Sequence, residues 1–290
     1  MENLSGKVCI VTGSNTGIGK ETARGLARMG ASVVLAVRDV GKGETARADI
    51  AATEPGSQLR VMPLDLGDTA SIRAFAAAFK RDFKRLDVLV NNAGLSPLKP
   101  TTTKDGFETT FGVNHLGTFL LTHELLDILE ASAPARVVVV SSRLHYRGKL
   151  DFNDLQFTRR KFSGFVAYNN SKLANVLYTK ALARRLAGRG VTVNALHPGV
   201  VQTELIRELP GFVVKLAHLF MVTPAKGAQC SLDVATLPEL ASVTGEYFEK
   251  SKIKPAAVAA RDEASQERLW RISEELLGLA ATARNRASAA

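Results

Sequence analysis

Short apolar runs recur along the chain and predict the strands of a sheet. Such runs, rich in valine, leucine and isoleucine, are typical of strands buried on both faces. A weaker run lies at Gly245–Phe248. The strong runs are Lys7–Thr12, Ser32–Val37, Leu59–Leu64, Leu86–Asn91, Arg136–Ser141 and Val191–Leu196.

Between these runs, apolar positions recur every three to four residues, which predicts helices. Such stretches lie at Ala23–Gly30, at Ile72–Phe79 after the N-cap residue Asp68, at Leu116–Leu129 and at Leu173–Leu186. We expect Leu116–Leu129 to be one long helix. The alternation of strand and helix predicts an α/β fold with a single doubly wound, Rossmann-type parallel sheet of about seven strands and helices on both faces.

We find neither a repeat nor a linker, so the interpretation is one domain over residues 1–280, followed by a flexible tail at 281–290. The chain has 290 residues and a formal net charge of +10. The basic residues are spread out and aromatic residues are few, which favours a basic surface with a pocket for a phosphorylated ligand over nucleic-acid binding. We predict no nucleic-acid partner.

Only two cysteines are present, Cys9 and Cys230, which excludes a disulfide scaffold and a cysteine-rich zinc module. We predict no metal site. Residues 1–8 lack a signal-peptide pattern, and no uninterrupted apolar run reaches the ~20 residues of a membrane span. We therefore expect a soluble cytoplasmic protein without a transmembrane span, and peripheral contact with a membrane stays open.

A glycine-rich turn follows the first strand and precedes a helical pattern. In a doubly wound fold such a turn lets the backbone approach a pyrophosphate, and the helix N-terminus faces the anion. The alternative is a glycine-rich loop without a ligand. The predicted cofactor-binding residues of the turn are Gly13, Ser14, Asn15, Gly17, Ile18 and Gly19.

The end of the second strand predicts which dinucleotide is preferred. An acidic residue there would accept hydrogen bonds from a ribose 2′-hydroxyl and would repel a 2′-phosphate. This chain has Arg38 first and Asp39 after it. Arg38 suits a dianionic phosphate, so we predict a preference for NADP(H), with NAD(H) still open; the alternative is that Arg38 is a solvated loop residue.

Tyr168 is the only one of the four tyrosines with a lysine, Lys172, four residues later. On a helix these residues share a face. A cation there stabilises phenolate, so we expect Lys172 to lower the phenol pKa and to prepare Tyr168 for proton transfer. The alternative is an ordinary amphipathic helix. A serine hydroxyl at the end of the fifth strand, where Ser141 and Ser142 are adjacent, would face the ligand crevice.

The turn spacing Gly-x-x-x-Gly-x-Gly resembles that of the short-chain dehydrogenase/reductase family. Asn91–Gly94 and His197–Gly199 resemble further motifs of that family. The resemblance implies a catalytic set in which Ser142 holds a substrate oxygen, Tyr168 transfers the proton, Lys172 also binds the nicotinamide ribose, and Asn114 holds a water that relays protons to Lys172. It also implies cofactor contacts from Asp65, Leu66, Asn92, Ala93, Gly94, Pro198, Gly199, Val201 and Thr203.

A long interval separates Ser142 from Tyr168. This interval, with Ser171–Leu177 and Arg268–Trp270, resembles the retinol dehydrogenase-like branch, which includes the oxidoreductase domain of the WW-domain oxidoreductase. The branch implies a small lipophilic carbonyl or alcohol as substrate, and a substrate lid near residues 205–223. The apolar stretch Leu209–Val222 is interpreted as a flap over the pocket, or alternatively as a surface helix that enters lipid or contacts a partner subunit.

The combined hypothesis is an NADP(H)-dependent oxidoreductase that transfers hydride between nicotinamide and a lipophilic carbonyl or alcohol. The alternatives are a catalytically silent dinucleotide-binding regulator and a membrane-surface scaffold. His145 and Tyr146 are candidates for the substrate side, whereas His115 and His123 are expected to be structural. A homodimer or homotetramer stays open, because the helices with Leu116–Leu129 and Leu173–Leu186 are apolar enough to pair between subunits or to pack on their own sheet.

Overall fold

The computed structural model describes residues 3–199 and 223–279, whose strands form one sheet. The strands are β1 (Val8–Thr12), β2 (Ser32–Val37), β3 (Leu59–Pro63), β4 (Val88–Asn91), β5 (Ala135–Val140), β6 (Val191–His197), β7 (Tyr247–Glu249) and β8 (Lys252–Lys254). Their order across the sheet is β3-β2-β1-β4-β5-β6-β7-β8. All neighbouring strands are parallel except β7 and β8.

Helices connect the strands. They are α1 (Gly17–Arg28), α2 (Val40–Thr53), α3 (Thr69–Asp82), α4 (Thr109–Phe111), α5 (Thr118–Glu124), α6 (Leu126–Ala131), α7 (Gly164–Arg185), α8 (Pro224–Thr236), α9 (Val258–Arg261) and α10 (Glu263–Leu276). A π-helical turn, Gly112–Gly117, joins α4 to α5, and short 3-10 helices lie at Arg143–Arg147 and Pro238–Leu240.

Two apolar cores cover the two faces of the sheet, because successive strand residues point to opposite sides. Ile10 and Val34 are completely buried on the side of α3, α5, α7 and α10. Cys9 and Val33 are completely buried on the side of α1, α2 and α8. Successive strands are added on one side of β1 up to β3 and on its other side from β4 onward, so the carboxyl ends of the parallel strands open onto a crevice between β1 and β4. The predicted doubly wound α/β fold is confirmed.

The predicted parallel sheet of about seven strands is present, with one element in addition and one helix that differs. The additional element is the antiparallel strand β8, which sequence patterning missed because all three of its residues are exposed. The prediction of one long helix over Leu116–Leu129 is wrong: its first two residues belong to the π-helical turn, which runs into α5, and the helix is interrupted at Leu125 between α5 and α6. Most of the predicted lid near 205–223 and the tail at 281–290 lie outside the described residues.

Candidate active site

The loop after β1 packs closely against the loop after β4. Gly13 and Gly17 have positive φ angles of +64° and +58°, which only glycine adopts without cost. A Cβ atom on Gly19 would lie 2.4 Å from the side-chain nitrogen of Asn92 and 2.5 Å from the Gly13 carbonyl oxygen. Glycine is therefore required at position 19 to let the loops after β1 and β4 meet.

The N-terminus of α1 has an uncommitted set of backbone donors. Its N-cap residue Thr16 makes no side-chain capping bond, and the first turn contains no acidic residue. By contrast, Asp39 and Asp68 cap α2 and α3 with their carboxylates. The free N–H groups of a helix N-terminus favour a negative charge. This cradle, with Asn15 and Ile18 partly exposed at its rim, fits the pyrophosphate of a dinucleotide.

Three polar side chains hold the cradle in shape. Ser14 is completely buried, and its hydroxyl donates to the Val11 carbonyl over 2.9 Å. The Thr12 hydroxyl oxygen accepts from the backbone N–H groups of Asn92 and Ala93, both at 2.9 Å. The Asn92 side chain donates to the Thr12 carbonyl over 2.8 Å. Sequence reasoning missed Thr12, whose partners lie about 80 positions away along the chain.

The carboxyl ends of β2 and β3 lie at the same edge of the sheet as the loop after β1. Arg38 is exposed, and within the described ranges it has no hydrogen-bond or ion-pair partner. Asp39 instead accepts from the Lys42 backbone N–H over 3.0 Å. Asp65 accepts from the Gly67 N–H over 2.8 Å, whereas Leu66 is buried beneath the π-helical turn.

Tyr168 and Lys172 lie on one face of α7, as predicted. The Lys172 Nζ atom is 5.6 Å from the centre of the Tyr168 ring and donates to the Val140 carbonyl over 2.9 Å. Burial lowers the pKa of Lys172 to about 8. Burial raises the pKa of the Tyr168 phenol, and the Ser142 hydroxyl opposes that rise. The expected influence of Lys172 on this pKa stays a prediction.

The two adjacent serines at the end of β5 have separate partners. The buried Ser141 hydroxyl donates to the Lys172 carbonyl over 2.8 Å, so it fixes α7 against the strand. The Ser142 hydroxyl oxygen accepts from the Leu144 N–H over 3.2 Å, which leaves its own proton available. Ser142 is therefore the serine that faces Tyr168.

Asn114 lies within the π-helical turn, a distortion that recurs at functional sites. Its amide is completely buried and pairs with both backbone groups of Leu95, at 2.8 and 2.9 Å, and with the Ser171 hydroxyl at 3.0 Å. A Cβ atom on Gly94 would lie 3.3 Å from both the Asn114 amide oxygen and the Lys172 Nζ. The structure thus brings Asn114, Gly94 and Lys172 together.

His115 is structural in this fold: its ring is buried, and Nε2 is 2.8 Å from the Ser273 hydroxyl of α10. His145 is also completely buried, whereas Tyr146 is 45% exposed and its hydroxyl donates to the Pro255 carbonyl. Pro198 and Gly199 follow β6 at the same edge as the other candidates. Val201 and Thr203 lie outside the described residues.

Within residues 3–199 and 223–279, no helix is long and apolar enough to cross a bilayer. The same residues contain no cluster of histidine, cysteine and carboxylate side chains that fits a metal ion.

A phosphate cradle, a reversal of strand order and a tyrosine–lysine–serine cluster at one sheet edge define a nicotinamide-dinucleotide oxidoreductase class. The family model described as short chain dehydrogenase matches residues 7–211, and the chain belongs to that family of oxidoreductases. Human retinol dehydrogenase 12 is 52% identical over 278 residues, which cover 95% of this chain and 88% of that protein.

Solved structures show the same fold. An uncharacterised protein from Mycobacterium paratuberculosis superposes with a TM-score of 0.79 at 36% identity, covering 96% of both chains. The RhlG/NADP active-site complex of Pseudomonas aeruginosa gives a TM-score of 0.69 at 27% identity, covering 85% of this chain and 95% of that one.

Proposed function

We propose that this protein is an NADP(H)-dependent oxidoreductase that interconverts a lipophilic carbonyl compound and its alcohol, with Tyr168 as the proton-transferring residue. The observation that carries the proposal is the position of Ser142. Its hydroxyl caps the 3-10 helix through the Leu144 N–H and faces the Tyr168 phenol at the crevice. A bound nicotinamide dinucleotide supplies or accepts the hydride.

The hydroxyl groups of Ser142 and Tyr168 have complementary tasks. The Ser142 oxygen already accepts a backbone hydrogen bond, so its proton is available to a substrate oxygen. The raised pKa of Tyr168 keeps the phenol protonated at neutral pH. A protonated phenol donates to a carbonyl oxygen as that oxygen gains charge, so Tyr168 can act as the proton donor in carbonyl reduction.

Lys172 and Asn114 lie next to Tyr168 and support its proton transfer. The Lys172 ammonium lies near the Tyr168 ring and is held by the Val140 carbonyl, so its charge is fixed beside the proton donor. Its pKa of about 8 leaves it mainly charged at neutral pH. Asn114 is held by Leu95 and Ser171 next to Gly94, and we assign it the water-holding role in proton relay.

Cofactor and substrate preferences follow from the rim of the site. The free guanidinium of Arg38 suits a 2′-phosphate, and Asp39 is occupied as a helix cap. Near Tyr168, the side chains of Leu98 and Phe165 are 60% and 52% exposed, and Gly164 packs against Pro97 and Leu98. These apolar groups, and the similarity to human retinol dehydrogenase 12, support a lipophilic substrate.

The test is NADPH oxidation with a panel of lipophilic aldehydes and ketones, retinal among them, for the wild type and Tyr168→Phe. We expect the variant to lose turnover by a factor of about 10²–10⁴, because it lacks the transferable proton. Its affinity for NADPH, measured by titration, should stay within about twofold of wild type, since the phosphate cradle is untouched. Tyr178→Phe, a buried tyrosine on the same helix, is the matched control and should keep its turnover.

Equal turnover by Tyr168→Phe and wild type would contradict the assigned mechanism. Wild-type protein that binds NADPH but turns over no member of the panel would favour the silent regulator instead. Faster turnover with NADH than with NADPH would contradict the cofactor preference and leave the proton-transfer role intact.

A further inference from the structure

His145 is a buried side chain whose two ring nitrogens are both used. Nδ1 is 2.7 Å from the Ser142 carbonyl oxygen, and Nε2 is 3.1 Å from the Ala257 backbone nitrogen. A backbone N–H only donates, so Nε2 accepts and Nδ1 carries the proton. The hydrogen-bond network therefore assigns a single neutral tautomer, in which His145 donates to Ser142.

Aromatic packing fixes the plane of this ring. The His145 ring centre is 4.0 Å from that of Tyr146 and 4.4 Å from that of Tyr247. The hydroxyl of Tyr146 donates to the Pro255 carbonyl over 2.7 Å, in the same segment that holds Nε2. Two neighbouring aromatic rings and a hydrogen bond at each nitrogen hold the ring, so it cannot swing away from Ser142.

The Ser142 peptide receives two donors from His145. Its carbonyl oxygen accepts from the backbone N–H of His145 at 3.0 Å as well as from Nδ1 at 2.7 Å. Ser142 has extended backbone angles, φ −156° and ψ 156°, at the point where β5 passes into the 3-10 helix. The orientation of this peptide determines where the Ser142 Cβ and hydroxyl point.

We propose that His145 is a positioning residue: its Nδ1–H, bonded to the Ser142 carbonyl, sets the direction of the Ser142 hydroxyl toward the reacting oxygen. His145 itself does not contact substrate, because its ring is completely buried and both nitrogens are engaged. The inference rests on the proposed function, in which Ser142 binds the substrate oxygen.

Two substitutions separate the hydrogen bonds of the ring. His145→Asn places an amide N–H near the position of Nδ1, so it keeps the donor to Ser142 and loses the acceptor for Ala257. His145→Gln places its amide near the position of Nε2, so it keeps the acceptor for Ala257 and loses the donor to Ser142. We expect kcat to fall by about tenfold in the Gln variant and by less than about threefold in the Asn variant, with KM for the cofactor unchanged in both.

Turnover is expressed per NADPH-binding site, which corrects for any misfolded fraction. His145→Phe is a second variant that keeps an aromatic ring beside Tyr146 and Tyr247 and removes both polar contacts, and it should match the Gln variant. Equal kcat in the Asn and Gln variants, or a Gln and Phe pair with wild-type kcat, would overturn the proposal.

A double-substitution cycle tests whether the effect passes through Ser142. In a Ser142→Ala background, His145→Gln should lower kcat by less than about twofold, because the hydroxyl that it positions is absent. A further tenfold loss there would assign His145 a general structural role instead. If Ser142→Ala alone keeps wild-type turnover, the proposed function of Ser142 fails; if Ser142→Ala loses turnover while His145→Gln does not, only the positioning role fails.

Discussion

Two adjacent side chains at the end of β2 have different environments. Asp39 is held in place as the cap of α2, whereas Arg38 is exposed without a partner among the described residues. The capping bond directs the Asp39 carboxylate toward the N-terminus of α2. The order of these two residues therefore matters more for cofactor choice than their opposite charges alone.

Arg38→Ala should raise KM for NADPH by about tenfold or more and change KM for NADH by less than about twofold, since only NADPH carries the 2′-phosphate. Steady-state kinetics with both cofactors measure this. Arg47→Ala, which removes an exposed cation paired with Glu44 on α2, is the control for lost charge. A similar loss with both cofactors would mean that Arg38 supports the fold and not the phosphate.

At this scale, the sequence was informative where function depends on spacing within one element. The four-residue interval from Tyr168 to Lys172 correctly placed both on one face of α7. The spacing did not show that burial raises the pKa of Tyr168 and that the Ser142 hydroxyl opposes the rise, because both depend on tertiary contacts. The hydrogen bond between His145 and Ala257 could not be predicted either, since the two residues lie more than a hundred positions apart.

Among the elements, the segment between the 3-10 helix and α7 is organised by one carboxylate. Asp154 is 5% exposed and accepts from the Thr158 N–H and hydroxyl at 2.6 and 2.9 Å and from the backbone N–H groups of Arg159 and Arg160 at 3.3 and 3.2 Å. These bonds lower the pKa of Asp154 against the effect of burial. The segment is thus folded by its own carboxylate.

Asp154→Ala should release this segment and expose the peptide bonds after Arg159, Arg160 and Lys161 to trypsin. We expect faster cleavage there, read by mass spectrometry of the fragments. Asp151→Ala, which removes an exposed carboxylate from the same segment, should be cut at the wild-type rate. Equal cleavage of both variants would show that Asp154 does not hold the segment.

The sequence predicted the parallel strands correctly, but it missed β8 and failed for one helix. The strands of the parallel sheet are buried on both faces, so their apolar runs are readable without tertiary information. The π-helical turn is different, because it depends on contacts that the local pattern does not contain. Asn114 is held by Leu95, and a Cβ atom on Gly117 would lie 2.4 Å from the Leu66 carbonyl oxygen.

In the whole molecule, α10 covers the outer side of α5 and α7. Trp270 packs against Phe119 and stacks on Tyr178, and the Arg185 guanidinium lies 3.9 Å from the centre of the Trp270 ring. The apolar faces considered for subunit pairing are therefore occupied by the chain's own sheet and C-terminal helix. A homodimer or homotetramer stays a prediction that would use other surfaces.

Acid should destabilise this molecule before its carboxylates protonate. Burial lowers the pKa of His115 to about 3 and that of His197 to about 4, and it also lowers the pKa of His145. Below pH ~6.5 the unfolded chain binds protons on these rings while the folded chain does not. The free energy of unfolding should therefore fall as the pH falls from about 6.5 to 4, approaching about 1.4 kcal/mol per pH unit for each of His115 and His197.

Urea unfolding at a series of pH values measures this slope, and His115→Gln should flatten it. The surface substitution His123→Gln removes a histidine without touching the buried ones and is the matched control. A wild-type slope in His115→Gln would contradict the assignment of the acid sensitivity to buried rings.

The two outer strands of the sheet also affect how the protein behaves at high concentration. At one end β3 exposes Arg60 and Pro63, and at the other β8 exposes Lys252 and Lys254. Charges and proline on an edge strand oppose the addition of a strand from another molecule. Aggregation by edge-to-edge strand pairing is thereby discouraged at both margins, even though the interior strands are nearly all apolar.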